Sequence, residues 1–449
     1  MRSLLGRFHR PFARSADEQL LLMNNLGDGS TLSLDFTTMG NTLDPRLTLT
    51  RASNATFINA SGLVATASNN VARFDHDPTT LSPRGLLIEG SAVNRLFQSS
   101  AFSTSPWGPS GYDLSGTGYT SPDGSTLALR WTAGTGAISP GNVQLCSNVT
   151  STSVTLSVWW RNGNHTNSTP NNLRRVAIRN STTSTILLDV SIVNPATVPS
   201  VSYNTGSTGA SLTAYQDGWY RLVLTVSSGI TSGNNIQAYI GGLFGSVTGA
   251  GEYCYWWGAM LEDGSGASSY IPTAASQGSR AADECSMTGT NFASWFTNNS
   301  EGSFLVRYSM NNPSAFLGVG IDRYAYEVSN SSGTSRVFCN ASYRVTVAGD
   351  AGRFPRVFDL GTIDLAPSLV ATAAQNTAFA WGYKSNDNHL AAVGVTANDT
   401  SGSLQTGVDR LHLGASRTFG STTYLQGCIS LLKYWPTRLP NAQLQSLTT

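Results

Sequence analysis

The sequence predicts an all-β protein: two antiparallel β-sandwiches of jelly-roll type, preceded by an N-terminal arm and a small β collar. Three observations carry this expectation. Short runs of β-branched and aromatic residues recur along the chain, each bounded by Gly, Pro, Asn or Asp, with no helical periodicity between them. Only 12% of residues are charged, about half the roughly 25% usual in globular proteins, so the outer faces of long amphipathic helices have nothing to be built from. In their place stand 107 Ser and Thr and 45 Gly, while 40% apolar content supplies cores and argues against wholesale disorder. At 449 residues the chain exceeds the about 250 to 300 that one core usually spans, so more than one domain is expected.

Residues 1–30 stand apart. The stretch MRSLLGRFHRPFARSADEQ carries Arg2, Arg7, Arg10 and Arg14 among short apolar pieces, and a short helix is expected over Ala16–Asn24, led in by Ser15, before the turn at Gly27-Asp28-Gly29. It reads as a docking arm, with a loose terminus as the alternative. The arginines break it too often for a secretory signal, and no window of 18 apolar residues occurs, so no membrane insertion is expected.

Residues 31–97 form a series of short extended pieces, TLSLDFT, LTLTRAS, ATFIN, LVATAS, VARFD and GLLIEG, expected to make the collar. Across 98–275 the strands lengthen, with VTLSVWWRN, STILLDVSIV, GWYRLVLTVSS and EYCYWWGAMLE forming the first jelly roll. Alternation in VTLSVWW puts Val154, Leu156, Val158 and Trp160 on one face and Thr155, Ser157 and Trp159 on the other, as a strand with one buried face requires. The stretch IPTAASQGSRAADE reads as a linker. A second run of strands over 276–449 is expected to form the second jelly roll, closing on PTRLPNAQLQSLTT with Pro440 at the start of a short terminal helix.

Net charge is +1, so no strong field draws the protein to nucleic acid. The five cysteines are scattered, without a CxxC, and read as buried thiols, with one long-range disulfide as the alternative. Glycosidic hydrolysis needs two facing carboxylates, but Glu262 and Asp263, like Asp283 and Glu284, are adjacent and would point to opposite faces of a strand. Asp75-His76-Asp77 is the most catalytic-looking cluster, yet in an extended chain the two aspartates share a face and His76 points away; a polar turn lead-in before Pro78 is the blander reading. The histidines lack metal-ligand spacing, and neither a nucleophile elbow nor a phosphate-binding loop occurs. No catalytic residue, metal or cofactor is therefore assigned, and a non-enzyme is expected. The N-x-[ST] triplets follow from composition alone.

The aromatics are more suggestive. Trp159-Trp160 and Trp256-Trp257 are adjacent pairs, so each sends one ring to either face of a strand. One ring of each pair belongs in a sandwich core. Its neighbour is either an exposed plane for the C–H face of a sugar or packed between modules or subunits. Trp159, Trp256, Trp381 and Tyr424 are the candidate glycan-binding residues.

Three stretches resemble modules of bacteriophage virion proteins. Arg51-Ala52-Ser53-Asn54-Ala55-Thr56, Ala72-Arg73-Phe74-Asp75 and Arg84-Gly85-Leu86-Leu87-Ile88-Glu89 are similar to a collar module of those proteins. Asp217-Gly218-Trp219-Tyr220-Arg221 and Trp257-Gly258-Ala259-Met260-Leu261-Glu262, with Ser269-Tyr270-Ile271-Pro272, resemble the closing strands of carbohydrate-binding-like jelly rolls in phage tail fibres. Gly427-Cys428-Ile429 through Lys433-Tyr434-Trp435 and the helix after it resemble the end of concanavalin A-like domains in the same proteins. The resemblance implies a virion structural protein assembled in the host cytoplasm: a short tail fibre, homotrimeric, anchored to other virion proteins through the arginines of its arm and attaching to host-surface polysaccharide. A capsid decoration, head fibre or tail connector is the structural alternative, and a capsule depolymerase the enzymatic one. The absence of a coiled-coil or β-helical shaft favours a short appendage.

Overall fold

The computed structural model describes residues 28–108, 111–114, 119–124, 127–134, 141–166, 172–242, 251–311, 323–332, 336–340, 356–359, 363–365, 377–392, 395–400, 407–416 and 424–449. The arginines of the basic arm and the helix expected over Ala16–Asn24 lie outside them. The protein is all-β, and every described strand pairing is antiparallel. Four sheets stack as two sandwiches.

One sandwich packs a seven-stranded sheet, whose centre is Trp219–Val226, Val154–Asn162 and Tyr253–Asp263, on a five-stranded sheet centred on Arg175–Asn180. The alternation read from VTLSVWW places Val154, Leu156, Val158 and Trp160 in the core between the sheets, where they meet Trp131, Ile178, Leu224 and Trp256. Burying each such side chain stabilises the fold by about 1.5–3 kcal/mol. Residues on the opposite face of Val154–Asn162 are buried too. Trp159 pairs in register with Trp257, and both rings join Tyr270, Ile271 and Val64 in a second apolar layer beneath the hairpin Ala55–Ile58 and Val64–Ala67.

The other sandwich joins an eight-stranded sheet to a seven-stranded one. Here the domain reading needs correction, because residues 31–97 are not a separate collar. Leu32–Asp35 and Pro83–Ile88 both pair with the last strand, Gly427–Trp435, and Thr48–Thr50 pairs with Glu284–Thr288. Leu32, Leu34, Phe36, Leu49, Phe74, Leu86 and Ile88 then share one core with Phe304, Trp381, Tyr383 and Tyr434. Gly85 permits a close approach: at φ +105°, a Cβ there would lie 2.1 Å from the Ile429 carbonyl oxygen.

The first sandwich is thus an insertion in the second. The chain leaves and returns at one point, where the N–H of Gln98 donates to the carbonyl of Ala274 at 2.8 Å. The stretch read as a linker is also built in. Gly278–Arg280 pairs with Ala92–Asn94, and Arg280 and Asp283 are buried.

At this junction lies a buried ionic cluster of Arg51, Arg73, Arg280, Glu89 and Asp283, each side chain no more than 1% exposed. Arg73 donates to Glu89 at 2.7 Å and pairs with Asp283; Arg280 donates to Glu89 at 2.6 Å, and Arg51 to Asp283 at 2.9 Å. Burial alone would raise the Glu89 pKa, but Arg280, Arg73 and the hydrogen bonds from Ser269 hold it at about 2. Ser269 belongs to the inserted sandwich, so the cluster ties the two bodies together.

Cys146, Cys254, Cys285 and Cys428 are buried free thiols. The terminal helix, Asn441–Ser446, starts after Pro440 as expected and buries Leu444 against Leu305 and Trp435.

Candidate ligand-binding cleft

Between the two sandwiches runs a cleft of about 1120 Å³. Its walls follow from strand alternation. In WYRLVLTV the even positions Leu222, Leu224 and Val226 are buried, which leaves Arg221 and Val223 facing the cleft; Ser211 and Thr213 extend that wall from the neighbouring strand. The opposite wall comes from the other sandwich, through Arg307, Ser309, Asn311, Thr377 and Ser430. The segment from Asp75 to Arg84 makes the floor. Thirteen of the 33 lining residues are Ser or Thr, and the charged ones are Arg84, Arg221, Arg307, Asp75 and Asp77.

Asp75 and Asp77 both line the cleft, but the strand is bulged between Asp75 and His76 and regular alternation does not continue through it, so both Asp75 and His76 meet the Ile58 backbone. The two carboxylates are engaged in structure. Asp75 accepts from the Ile58 N–H at 2.7 Å and from Arg84 at 3.2 Å, and burial outweighs these contacts and raises its pKa. Asp77 accepts from the N–H groups of Thr79 at 2.9 Å and Thr80 at 2.7 Å; although burial opposes it, these bonds hold the carboxyl below its usual range. The Asp77 turn then docks on the inserted sandwich, because Gln216 donates to the carbonyls of Pro78 and Thr79. His76 turns its Nδ1 to the Ile58 carbonyl at 3.2 Å.

Arg84 bridges floor and wall, reaching the Asn311 side-chain oxygen at 2.7 Å as well as Asp75. Arg221 stands on the other side. Its guanidinium lies 4.5 Å over the Trp159 ring and donates to the Ser157 hydroxyl and the Ser268 carbonyl, both at 2.9 Å. Its Nε is buried without a hydrogen-bond partner. Ser268 in turn donates from its N–H and hydroxyl to buried Glu262, whose pKa burial raises. Tyr215 meets the Trp159 ring edge-on at 5.8 Å.

The candidate glycan-binding aromatics are placed differently from the sequence reading. Trp159 is 1% exposed, Trp256 and Trp381 are 0%, and Tyr424 is 2%. Trp256 lies in the core of the inserted sandwich, and Trp381 and Tyr424 lie in the core of the other. Of the four only Trp159 lines the cleft, and it does so beneath Arg221. No face of these rings is left for a sugar, because Trp256, Trp381 and Tyr424 lie between the sheets of their sandwiches and Trp159 is enclosed by Val64, Trp257, Tyr270 and Arg221. Sequence reasoning missed Arg84, Arg221 and Arg307 as lining residues. Arg221 was nevertheless readable as the polar position of an alternating strand. Among the described residues no three His, Cys, Asp or Glu come together as a metal site requires.

No family model matches the chain, and no curated protein matches it. Among solved structures, the Ruminococcus gnavus IT-sialidase CBM40 bound to α2,3 sialyllactose is 15% identical, covering 34% of this chain and 84% of that one at a TM-score of 0.26. Trypanosoma rangeli sialidase in complex with the inhibitor DANA is 8% identical, covering 37% and 26% at 0.26. Domain 4 of AbnA, a GH43 extracellular arabinanase from Geobacillus stearothermophilus in complex with arabinotriose, is 10% identical, covering 42% and 84% at 0.27. At these TM-scores the likeness is local and says nothing of what this chain binds.

Proposed function

We propose that this protein is a non-catalytic glycan-binding component of a bacteriophage virion, a short tail fibre that attaches to host-surface polysaccharide through the cleft between its sandwiches. The observation that carries the reading is the cleft itself. At about 1120 Å³ it is somewhat larger than the about 300–1,000 Å³ of ordinary ligand sites, and it is coated with hydroxyls, an amide and guanidinium groups that hydrogen-bond to sugar hydroxyls. The virion role rests on the resemblance of the Arg51, Arg73 and Glu89 motifs and of the closing strands to virion modules. A non-enzymatic role is favoured by Asp75 and Asp77, since both carboxylates are held by structural hydrogen bonds and no other acid is among the described residues that line the cleft. In this reading the arm with Arg2, Arg7, Arg10 and Arg14 docks on other virion proteins, and the fibre is a homotrimer.

The test is binding of the full chain to host cells and to their purified polysaccharide, with reducing-sugar release measured in parallel. Saturable binding without sugar release is expected. Failure to bind either would overturn the reading, and sugar release would replace it with a depolymerase.

A further inference from the structure

Resting on the glycan-binding reading, we infer that the cleft selects acidic saccharides, taking a sugar carboxylate on the Arg221 guanidinium with Arg307 as a second cation.

The argument starts from how Arg221 is held. A partly buried guanidinium is costly unless an anion compensates it. Arg221 makes no salt bridge to any described residue: its partners, the Ser157 and Tyr215 hydroxyls and the Ser268 carbonyl, are neutral. Glu262 on its own sheet attracts it through space and shares Ser268 with it, but makes no ion pair with it. The acids facing it across the cleft are Asp75, taken by Arg84 and the Ile58 N–H, and Asp77, taken by its own turn. The Arg221 guanidinium carbon lies 4.5 Å from the centre of the Trp159 ring, which supports one side of the group. A guanidinium held on an aromatic face, lining a cleft and not neutralised by an ion pair, is a group that takes a carboxylate by charge-assisted hydrogen bonds. Arg307 is exposed on the facing wall and also pairs with no described carboxylate; the one described hydrogen bond of its guanidinium is a 3.4 Å contact to the Leu447 carbonyl. The hydroxyls of Ser211 and Thr213 flank the site, so a ring carrying both hydroxyls and a carboxylate matches it better than a bare anion.

The full chain is tested on a glycan panel in which each carboxylated oligosaccharide stands beside its carboxyl-reduced, neutral counterpart. Binding is expected only to the acidic members, weakened about tenfold or more by Arg221→Gln and by Arg307→Gln and reduced by about 0.5 M NaCl. Arg221→Lys keeps the charge but not the fork and is expected to recover only part of the loss. If Arg221→Gln fails to fold, as judged by Trp fluorescence, the exposed Arg307→Gln and the salt series still decide. Equal binding to the neutral counterparts, or acidic binding unchanged in both Gln variants, overturns this inference and leaves the glycan-binding function standing. Binding to no member overturns that function and this inference with it.

Discussion

Glu89→Gln removes the acid at the centre of the ionic cluster that joins the two sandwiches. Glu89 accepts four hydrogen bonds, from Arg73 at 2.7 Å, Arg280 at 2.6 Å, and the Ser269 N–H and hydroxyl at 2.8 and 2.7 Å. The glutamine amide keeps the shape but drops the charge and turns an NH₂ toward donors. Breaking a buried pair from one side costs about 3–5 kcal/mol. A second route agrees: a pKa lowered from 4.5 to about 2 corresponds to about 3 kcal/mol of stability at neutral pH. Because the folded pKa is depressed, that contribution is complete above the unfolded value of 4.5 and is lost as pH falls through about 2. Urea denaturation followed by Trp fluorescence is expected to show the variant about 3–5 kcal/mol less stable at pH 7, the gap narrowing as the wild type is acidified. Glu301→Gln serves as the control, since Glu301 is 30% and its partner Lys384 57% exposed, and it should change stability by less than about 0.5 kcal/mol. A loss below about 1 kcal/mol at pH 7, or a gap independent of pH, would refute the reasoning.

Gly85→Ala puts a Cβ 2.1 Å from the Ile429 carbonyl oxygen at φ +105° and should abolish soluble expression or lower stability by more than about 3 kcal/mol; an unchanged melting temperature would show that the Pro83–Ile88 strand is not pinned to the last strand. Trp256→Ala should cost about 3–5 kcal/mol through the cavity it leaves, yet leave saccharide affinity per folded molecule unchanged, because the ring lies in the core of the inserted sandwich; titration of the folded fraction checks this. Replacing residues 99–273 by a short Gly-Ser bridge should leave a cooperatively folding remainder, since its strands share one core and the ends meet between Gln98 and Ala274, but one without glycan binding, because a wall of the cleft has gone. Circular dichroism melts and the same glycan panel read both outcomes.

Much of the local structure was legible along the chain. Alternation in the strands around Val154 and Leu222 named the inward residues, and Pro440 marked the terminal helix. The candidate site was not legible. Trp159 and Trp256 each sit beside a second tryptophan, and period-two alternation tells which face a ring takes but not what covers that face. The covering came from distant segments: the hairpin carrying Val64 over Trp159, and the five-stranded sheet over Trp256. Arg84, Arg221 and Arg307 are 86 to 223 positions apart, and nothing local links them. The linker reading of 271–284 failed for a similar reason. Small polar residues suggested a loose connection, whereas Arg280 and Asp283 are buried because Glu89, Arg73 and Arg51 are there to meet them.

The sequence by itself determined the fold class. Few charges, abundant Ser, Thr and Gly, and short β-branched runs leave antiparallel sheets as the way to bury 40% apolar residues. It also determined which side of each strand is polar, because side chains alternate along any extended chain. The tertiary structure decided the rest: that residues 31–97 complete the last sandwich, that residues 98–275 are an insertion, and that the tryptophans are buried while three arginines line the cleft. These depend on pairings between segments hundreds of residues apart, such as Leu32 with Tyr434, and a pairing at that distance leaves no periodic mark on the sequence at either end.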